Sequence, residues 1–332
     1  VRRHVLVWNP DGVNPYGHEL AHVLAMHGLV THVVPVDAPE TRCVLTTRRL
    51  LPANRAGSAK HRQAWRLLRA LAVMARRHDV VVAAWTRSSL DEVVLWLLTL
   101  LGRRVVFVWH NPVHRVPLPR LREATMRLLA RRAVVVTHHR LLAGMAAERH
   151  GVTARVARHP LYLVVLSENR VRREEPRGVV AFALNRADKG YDDAVRAVLA
   201  AKPPSLTLVG KGAPRLEDVA ALKASGVEVT VVGGADFADE RDVLGAVASA
   251  EVLLAPYREV TASGSVMLAL SLGVPVVAYD APTLRDLPVT LVPEGDVEAL
   301  AGALHGGTSM DDRQRIEWQT AAIEEWASAV GP

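Results

Sequence analysis

Ala255-Pro256-Tyr257-Arg258-Glu259-Val260-Thr261-Ala262-Ser263-Gly264-Ser265-Val266 is the stretch on which the fold turns. Before it, Glu251–Pro256 is a short apolar run that reads as a buried strand. After it, Ser263–Leu272 is a strongly apolar helix, and Leu272-Gly273-Val274-Pro275 leads into a second buried run at Pro275–Tyr279. Parallel strands need a crossover, and the helix supplies it, so strand, turn, helix and return strand form one step of a parallel sheet. The first N–H groups of a helix lack intrahelical acceptors and, with the helix dipole, favour an anion. Gly264 lets a phosphate approach the backbone, and the hydroxyls of Thr261, Ser263 and Ser265 can donate to it or simply cap the helix.

The same rhythm extends in both directions. Strands are expected at Val179–Leu184, Ser205–Val209, Val227–Val232 and Thr290–Val292, with helices at Tyr191–Ala201, Leu216–Ser225, Arg241–Ala248 and Val297–Leu304. The first half predicts strands at Val5–Trp8, Thr31–Val36, Val80–Ala84, Val105–Trp109 and Val134–Thr137. Helices are expected between them at His18–His27, His61–Arg77, Leu90–Leu101, Leu118–Arg131 and Leu141–His150. Arg42–Ala59 has no period and reads as a loop. Strand and helix in alternation mean α/β architecture with parallel sheets covered on both faces. Two doubly wound, Rossmann-like domains are expected: residues 1–165, a polar linker at 166–178, and residues 179–310. A final helix over 311–332 is expected to pack back on the first domain. Ligands in such sheets bind beyond the carboxyl ends of the strands, here in a cleft between the domains.

The net charge of +7 conceals a division. Residues 1–165 hold 25 Lys+Arg and 9 Asp+Glu, a balance of +16; residues 166–332 hold 16 and 25, a balance of −9. The basic half suits an anionic membrane or a pyrophosphate-bearing substrate, although arginine-rich helices alone would produce the same sum. No basic motif interleaved with aromatics supports nucleic-acid binding. The single cysteine, Cys43, fits a reducing compartment, and the longest apolar run, Val93–Leu101, is far short of a membrane span. One cysteine and scattered histidines do not form a metal-ligand set. Lys60–Arg77 sets basic residues beside an apolar face bearing Trp65, Leu68 and Leu71. Such a stripe suits core packing, and also a docking helix on an anionic bilayer.

Phe182-Ala183-Leu184-Asn185-Arg186-Ala187-Asp188-Lys189-Gly190-Tyr191 leaves a strand and enters a helix, so Arg186 and Lys189 sit at a strand's carboxyl end. Two cations three residues apart on a short turn suit a diphosphate. This turn, paired with the later Pro-Tyr-Arg-x-x-Thr-x-Ser-Gly and Ala-Leu-x-x-Gly-x-Pro-Val-Val-Ala pattern, resembles the C-terminal domain of glycosyltransferase family 4. The likeness is greatest to a branch whose turn reads Thr-Gln-Ser-Gly, with Ala262 in place of the Gln. Pro293-Glu294-Gly295-Asp296 and Leu300-Ala301 also fit the family's ending.

The resemblance implies a GT-B fold, a nucleoside-diphosphate sugar such as GDP-mannose or a UDP-sugar as co-substrate, and neither cofactor nor metal. It implies that Arg186, Lys189, Ser263, Gly264 and Ser265 bind the donor, with Thr261 and Glu259 beside them. Many retaining members carry Glu-x7-Glu here, but the matching positions are Val260 and Leu268. That departure leaves the stereochemistry open and makes an inactive, nucleotide-sugar-binding GT-B protein the alternative. In the first half, Trp8-Asn9-Pro10-Asp11-Gly12-Val13-Asn14-Pro15-Tyr16 resembles the loop over the reacting sugar, with Gly12, Asn14 and Tyr16 on the acceptor side. Trp109-His110-Asn111-Pro112-Val113-His114 resembles a segment at the cleft. His110 is the first candidate for catalysis, since imidazole titrates near neutrality; Asp11 is the rival base, and His114 joins the acceptor side. The expected activity is hexosyl transfer to a lipid-linked glycan or other acceptor hydroxyl, in the cytoplasm or peripherally at the inner face of the plasma membrane.

Overall fold

The computed structural model describes residues 4–11, 14–36, 38, 45–51, 65–67, 69–70, 73–74, 77–113, 118–173, 175–182, 184, 187–234 and 238–331. The chain forms two compact units, Val1–Glu168 with Trp318–Pro332, and Asn169–Glu317.

The first unit holds strands β1 (His4–Trp8), β2 (Leu29–Pro35), β3 (Thr46–Leu51), β4 (Val80–Ala83), β5 (Arg104–Val108), β6 (Val134–Thr137) and β7 (Ala154–Val156). Its helices are α1 (Tyr16–Ala25), α2 (Ser89–Leu100), α3 (Arg120–Ala130), α4 (Arg140–His150) and α5 (Leu163–Glu168). The strands pair in parallel in the order β3-β2-β1-β4-β5-β6-β7. Helices cover the central strands on both faces, so β4 is an unbroken buried run, Val-Val-Val-Ala, rather than an alternating one. Leu95 and Leu98 of α2 and Met126 and Leu129 of α3 join Val81, Ala83, Val105 and Phe107 in one core. Ser88 and Asp91 close a reciprocal capping box that starts α2.

Three expectations change here. Thr46–Leu51, within the expected loop, is an edge strand paired with β2. Only Leu51 of it is fully buried, so Thr-Thr-Arg-Arg showed no apolar signature. Strand β7, at the opposite edge, is three residues long and was likewise missed. Helix α5 runs through Glu168, so the segment expected as linker from 166 begins helical. Within Lys60–Arg77 the described residues are helical and bury Leu67, Ala70 and Met74, whereas Trp65 is 70% exposed and off that face. Leu68 and Leu71 lie outside the described residues.

The second unit holds β8 (Val179–Ala181), β9 (Ser205–Lys211), β10 (Glu228–Gly234), β11 (Val252–Ala255), β12 (Val276–Tyr279) and β13 (Thr290–Val292). These also pair in parallel, in the order β10-β9-β8-β11-β12-β13. Its helices are α6 (Tyr191–Ala201), α7 (Leu216–Ala224), α8 (Glu240–Ala248), α9 (Gly264–Ser271) and α10 (Val297–Ala303). Helix α11 (Asp312–Val330) follows, and from Trp318 onward it belongs to the first unit. There the indole N–H groups of Trp318 and Trp326 donate to the carbonyls of His159 and Arg158, both at 3.0 Å.

In each sheet the strand order reverses once, between β1 and β4 and between β8 and β11. The crossovers on either side run in opposite directions, so the loops after these strands part and leave a crevice at the carboxyl ends.

Candidate functional site

At the β8/β11 reversal a 3-10 turn, Ala187–Lys189, leads through Gly190 into α6. Gly190 is left-handed, with φ 66°, and a Cβ there would stand 2.1 Å from the Pro256 carbonyl oxygen. Only glycine lets this turn lie against the loop after β11. The Arg258 N–H donates to the Asp188 carbonyl at 3.2 Å, joining the two loops. The Lys189 ammonium rests 3.6 Å from the centre of the Tyr257 ring, a cation–π seat. The buried Tyr257 places its hydroxyl 2.7 Å from Ser265 Oγ, which is 3.0 Å from Ser263 Oγ. Ser263 caps α9 by accepting the Val266 N–H at 3.4 Å. Lys189, Tyr257, the two serines and the start of α9 are thus one assembly: a cation, a ring, hydroxyls and a helix N-terminus, with Gly264 exposed in its first turn. That combination suits a diphosphate.

Asp193 of α6 holds the assembly from behind. It is fully buried and accepts from Arg258 at 3.1 Å and from Arg196. Burial alone would raise its pKa, but the hydrogen bonds from Arg196 and Arg258 outweigh burial and hold the carboxyl below its usual value. The Tyr279 hydroxyl is pushed up to about 12 by burial and by the neighbouring Asp193 carboxylate. Thr261 is half-buried and Glu259 exposed; Arg186 lies outside the described residues. Val260 and Leu268 put hydrocarbon where the Glu-x7-Glu pattern has carboxylates, and Leu268 is buried on α9.

In the first unit the loops after β1, β4, β5, β6 and β7 gather rings rather than charges. Asn14 Oδ1 accepts the Tyr16 N–H at 3.0 Å and starts α1. A Cβ on Gly17 would lie 2.4 Å from the Asn9 side chain, so glycine lets α1 settle on the β1 loop. The buried Tyr16 ring meets His110 at 4.7 Å, His159 at 4.8 Å, His138 at 5.2 Å and Trp85 at 5.9 Å. Trp85 stacks on His110 at 3.8 Å with 12° between the planes. His110 Nε2 lies 2.9 Å from the Ala84 carbonyl, which only accepts, so Nε2 carries the proton and Nδ1 the lone pair of the neutral ring. Burial first, then the neighbouring His138 and His159, pushes His110 well below 6.5. Burial also takes His138 to about 4 and His159 to about 3.

Contrary to the expectation from an ordinary imidazole, His110 does not titrate near neutrality but stands as a neutral ring locked in one tautomer. Asn14, Tyr16 and His110 do come together. Asp11 is half-buried in the same β1 loop, while Gly12 and His114 lie outside the described residues. Trp85, His138, His159, Tyr257 and Asp193 were missed. Trp85, His138 and His159 each fall one to three residues beyond a strand, as His110 does, and that placement was the available signal.

Residues 177–306, within the second unit, match the family model described as glycosyl transferases group 1. Solved structures of the same fold include sucrose-phosphate synthase from Thermosynechococcus elongatus, 18% identical, with a TM-score of 0.62 over 99% of this chain and 94% of that one. HepE of Anabaena, in complex with UDP and glucose, is 14% identical with a TM-score of 0.64, covering 99% and 95%. AviGT4, a glycosyltransferase of avilamycin A biosynthesis, is 17% identical with a TM-score of 0.59, covering 99% and 95%. The two parallel-sheet units are therefore those of a GT-B glycosyltransferase fold. No curated protein sequence matches the chain.

Proposed function

We propose that this chain transfers a hexose from a nucleoside-diphosphate sugar to an acceptor hydroxyl, with the donor diphosphate on the C-terminal unit. The observation that carries the reading is the Lys189 ammonium seated on Tyr257 beside the N-terminus of α9, in the stretch that matches the glycosyl transferases group 1 model. Lys189, the first-turn N–H groups of Gly264 and Ser265, and Arg186 from the same loop would stabilise the leaving diphosphate as its charge develops, so the chemistry requires no divalent metal. A UDP-sugar is the first donor to try, because HepE binds UDP and glucose; GDP-mannose is the second. Tyr16, Asn14, Asp11 and the His110 ring would face the sugars, the neutral imidazole hydrogen-bonding a hydroxyl and Asp11 taking the acceptor proton if the reaction inverts.

The test is calorimetric binding of UDP and GDP, followed by turnover of the matching nucleotide sugar in EDTA. Nucleotide binding with turnover in EDTA supports the proposal. Absence of binding by either nucleotide overturns it, and turnover lost in EDTA and restored by Mg²⁺ overturns the metal-free chemistry. Binding without turnover or hydrolysis would instead support the inactive reading, which the hydrocarbon at Val260 and Leu268 favours.

The acceptor we propose is anionic, a polyprenyl-diphosphate-linked glycan at a membrane surface, because the +16 balance lies in residues 1–165. No helix among the described residues is long and apolar enough to cross a membrane. Each cation near an anionic bilayer contributes about 1 kcal/mol. Sedimentation with anionic vesicles should therefore exceed that with neutral ones and fall steeply with salt; equal recovery in the supernatant throughout would remove the membrane from the proposal.

A further inference from the structure

Helix α1 carries His18-Glu19-Leu20-Ala21-His22, two histidines one helical turn apart on one face. Their rings lie 4.8 Å apart. Glu168, the last residue of α5, meets them there: both its carboxylate oxygens are 3.2 Å from His18 Nε2. One donor atom from each of the three residues lies within 4.8 Å of the others, and among the described residues no other group of three or more His, Cys, Asp or Glu side chains does so. The ligand set is two imidazoles and a carboxylate, with His18 buried and His22 and Glu168 half-buried, so solvent reaches the site on one side. Tetrahedral zinc with ligands at about 2.0–2.1 Å needs donor atoms about 3.3 Å apart, a contraction within reach of side-chain rotation.

We propose that His18, His22 and Glu168 bind a divalent transition metal, zinc by ligand type, that clamps α1 to α5. The spacing is that of the His-Glu-x-x-His metallohydrolase motif, in which the glutamate serves as general base. Here Glu19 is employed differently. It is fully buried, and its Oε1 accepts the Val165 N–H of α5 at 2.7 Å. Glu19 thereby holds α5 in register, three residues before Glu168, and is not directed at a metal-bound water. The site is a structural clamp without hydrolytic chemistry. Its position gives the clamp a purpose, because the chain leaves the first unit directly after Glu168. Occupancy would secure the end of the segment that joins the units.

The alternative is a plain His18–Glu168 hydrogen bond with His22 beside it, and the two are separable. The full chain, freed of metal by chelation, is titrated with Co²⁺ and followed by visible absorption, then with Zn²⁺. Expected are a tetrahedral Co²⁺ spectrum saturating at one equivalent, its bleaching by Zn²⁺, and a higher Tm for the loaded protein. His22→Ala and Glu168→Gln should each weaken binding by roughly tenfold or more, whereas His27→Ala, an exposed histidine just beyond α1, should leave it unchanged. Thermal melts of the metal-free variants guard against misfolding, and Glu168→Gln keeps the shape of the side chain. A missing cobalt spectrum, a spectrum retained at full affinity in both ligand variants, or an equal loss in His27→Ala would overturn the clamp.

Discussion

The two sheets reverse at equivalent places, but they put opposite chemistry there. At β8/β11 the side chains are ionic: Lys189, Arg258, Arg196 and the fully buried Asp193, beside the N-terminus of α9. At β1/β4 they are neutral: Tyr16, Trp85 and three histidines whose pKa values burial holds down. A fixed negative group is best met by charge anchored from behind, because the anchoring carboxylate lowers the cost of keeping the guanidinium in place. Neutral hydroxyls are better met by rings whose donors and acceptors are already assigned. The same topology thus carries two kinds of side-chain chemistry in the residues that follow its strands.

The largest expected difference lies in acid sensitivity. In the folded first unit His138 and His159 stay neutral down to about 4 and about 3, and His110 also stays neutral well below 6.5. The unfolded chain takes up those protons below about pH 6.5 and binds more of them than the folded state. Stability is thus complete above pH 6.5 and falls as the pH drops, by about 2 kcal/mol per histidine between 6.5 and 5, less than additively because the rings interact. All seven tryptophans lie in the first unit, so the urea midpoint read by their fluorescence isolates this effect. A midpoint that stays flat from pH 7 to 5 would break the contrast. Asp193 behaves differently: its lowered pKa gives stability that is present above the unfolded value and lost only below about pH 4. The tryptophan-silent transition of the second unit, followed by circular dichroism, should hold through the range in which the first declines.

Next in size is Gly190→Ala. Left-handed backbone plus a Cβ at 2.1 Å from the Pro256 oxygen should cost about 3 kcal/mol, read as a lower urea midpoint for the second unit with tryptophan fluorescence unmoved. Lys189→Ala should weaken nucleoside-diphosphate binding by about 1.5–3 kcal/mol, and calorimetry should show the same for Arg186→Ala. Unchanged affinity in both variants would remove the ionic half of the comparison. Smallest is Ser263→Ala, which deletes the α9 cap and should cost about 1 kcal/mol of stability. A loss of nucleotide affinity larger than the loss of stability would show that the hydroxyl touches the ligand as well.

The interior of both sheets was legible because strands such as Val252–Ala255 and Val80–Ala83, buried on both faces, leave unbroken apolar runs. The edges were not: Thr46–Leu51 and Ala154–Val156 need only one neighbour and little burial, and their composition does not distinguish them from loop. The turn that holds Lys189 and the cap at Ser263 could be read because both follow from local geometry. Tyr257, Asp193 and Trp85 could not, since the seat under Lys189, the anchor behind Arg258 and the plate on His110 exist only after distant segments meet. His18 and His22 read only as two of several scattered histidines, because Glu168, which completes the set, lies 146 residues beyond His22 and nothing local announces it.

The last helix has a consequence for how the protein comes off the ribosome. Trp326 is fully buried in the first unit, yet it is made after every residue of the second. The usual order of synthesis, in which the first domain folds before the next emerges, is therefore inverted. The stretch 169–317 is continuous and can close on itself, while residues 1–168 wait for the indole that donates to the Arg158 carbonyl. During that wait the nascent first unit presents an unfinished apolar surface, so chaperone dependence should be concentrated there.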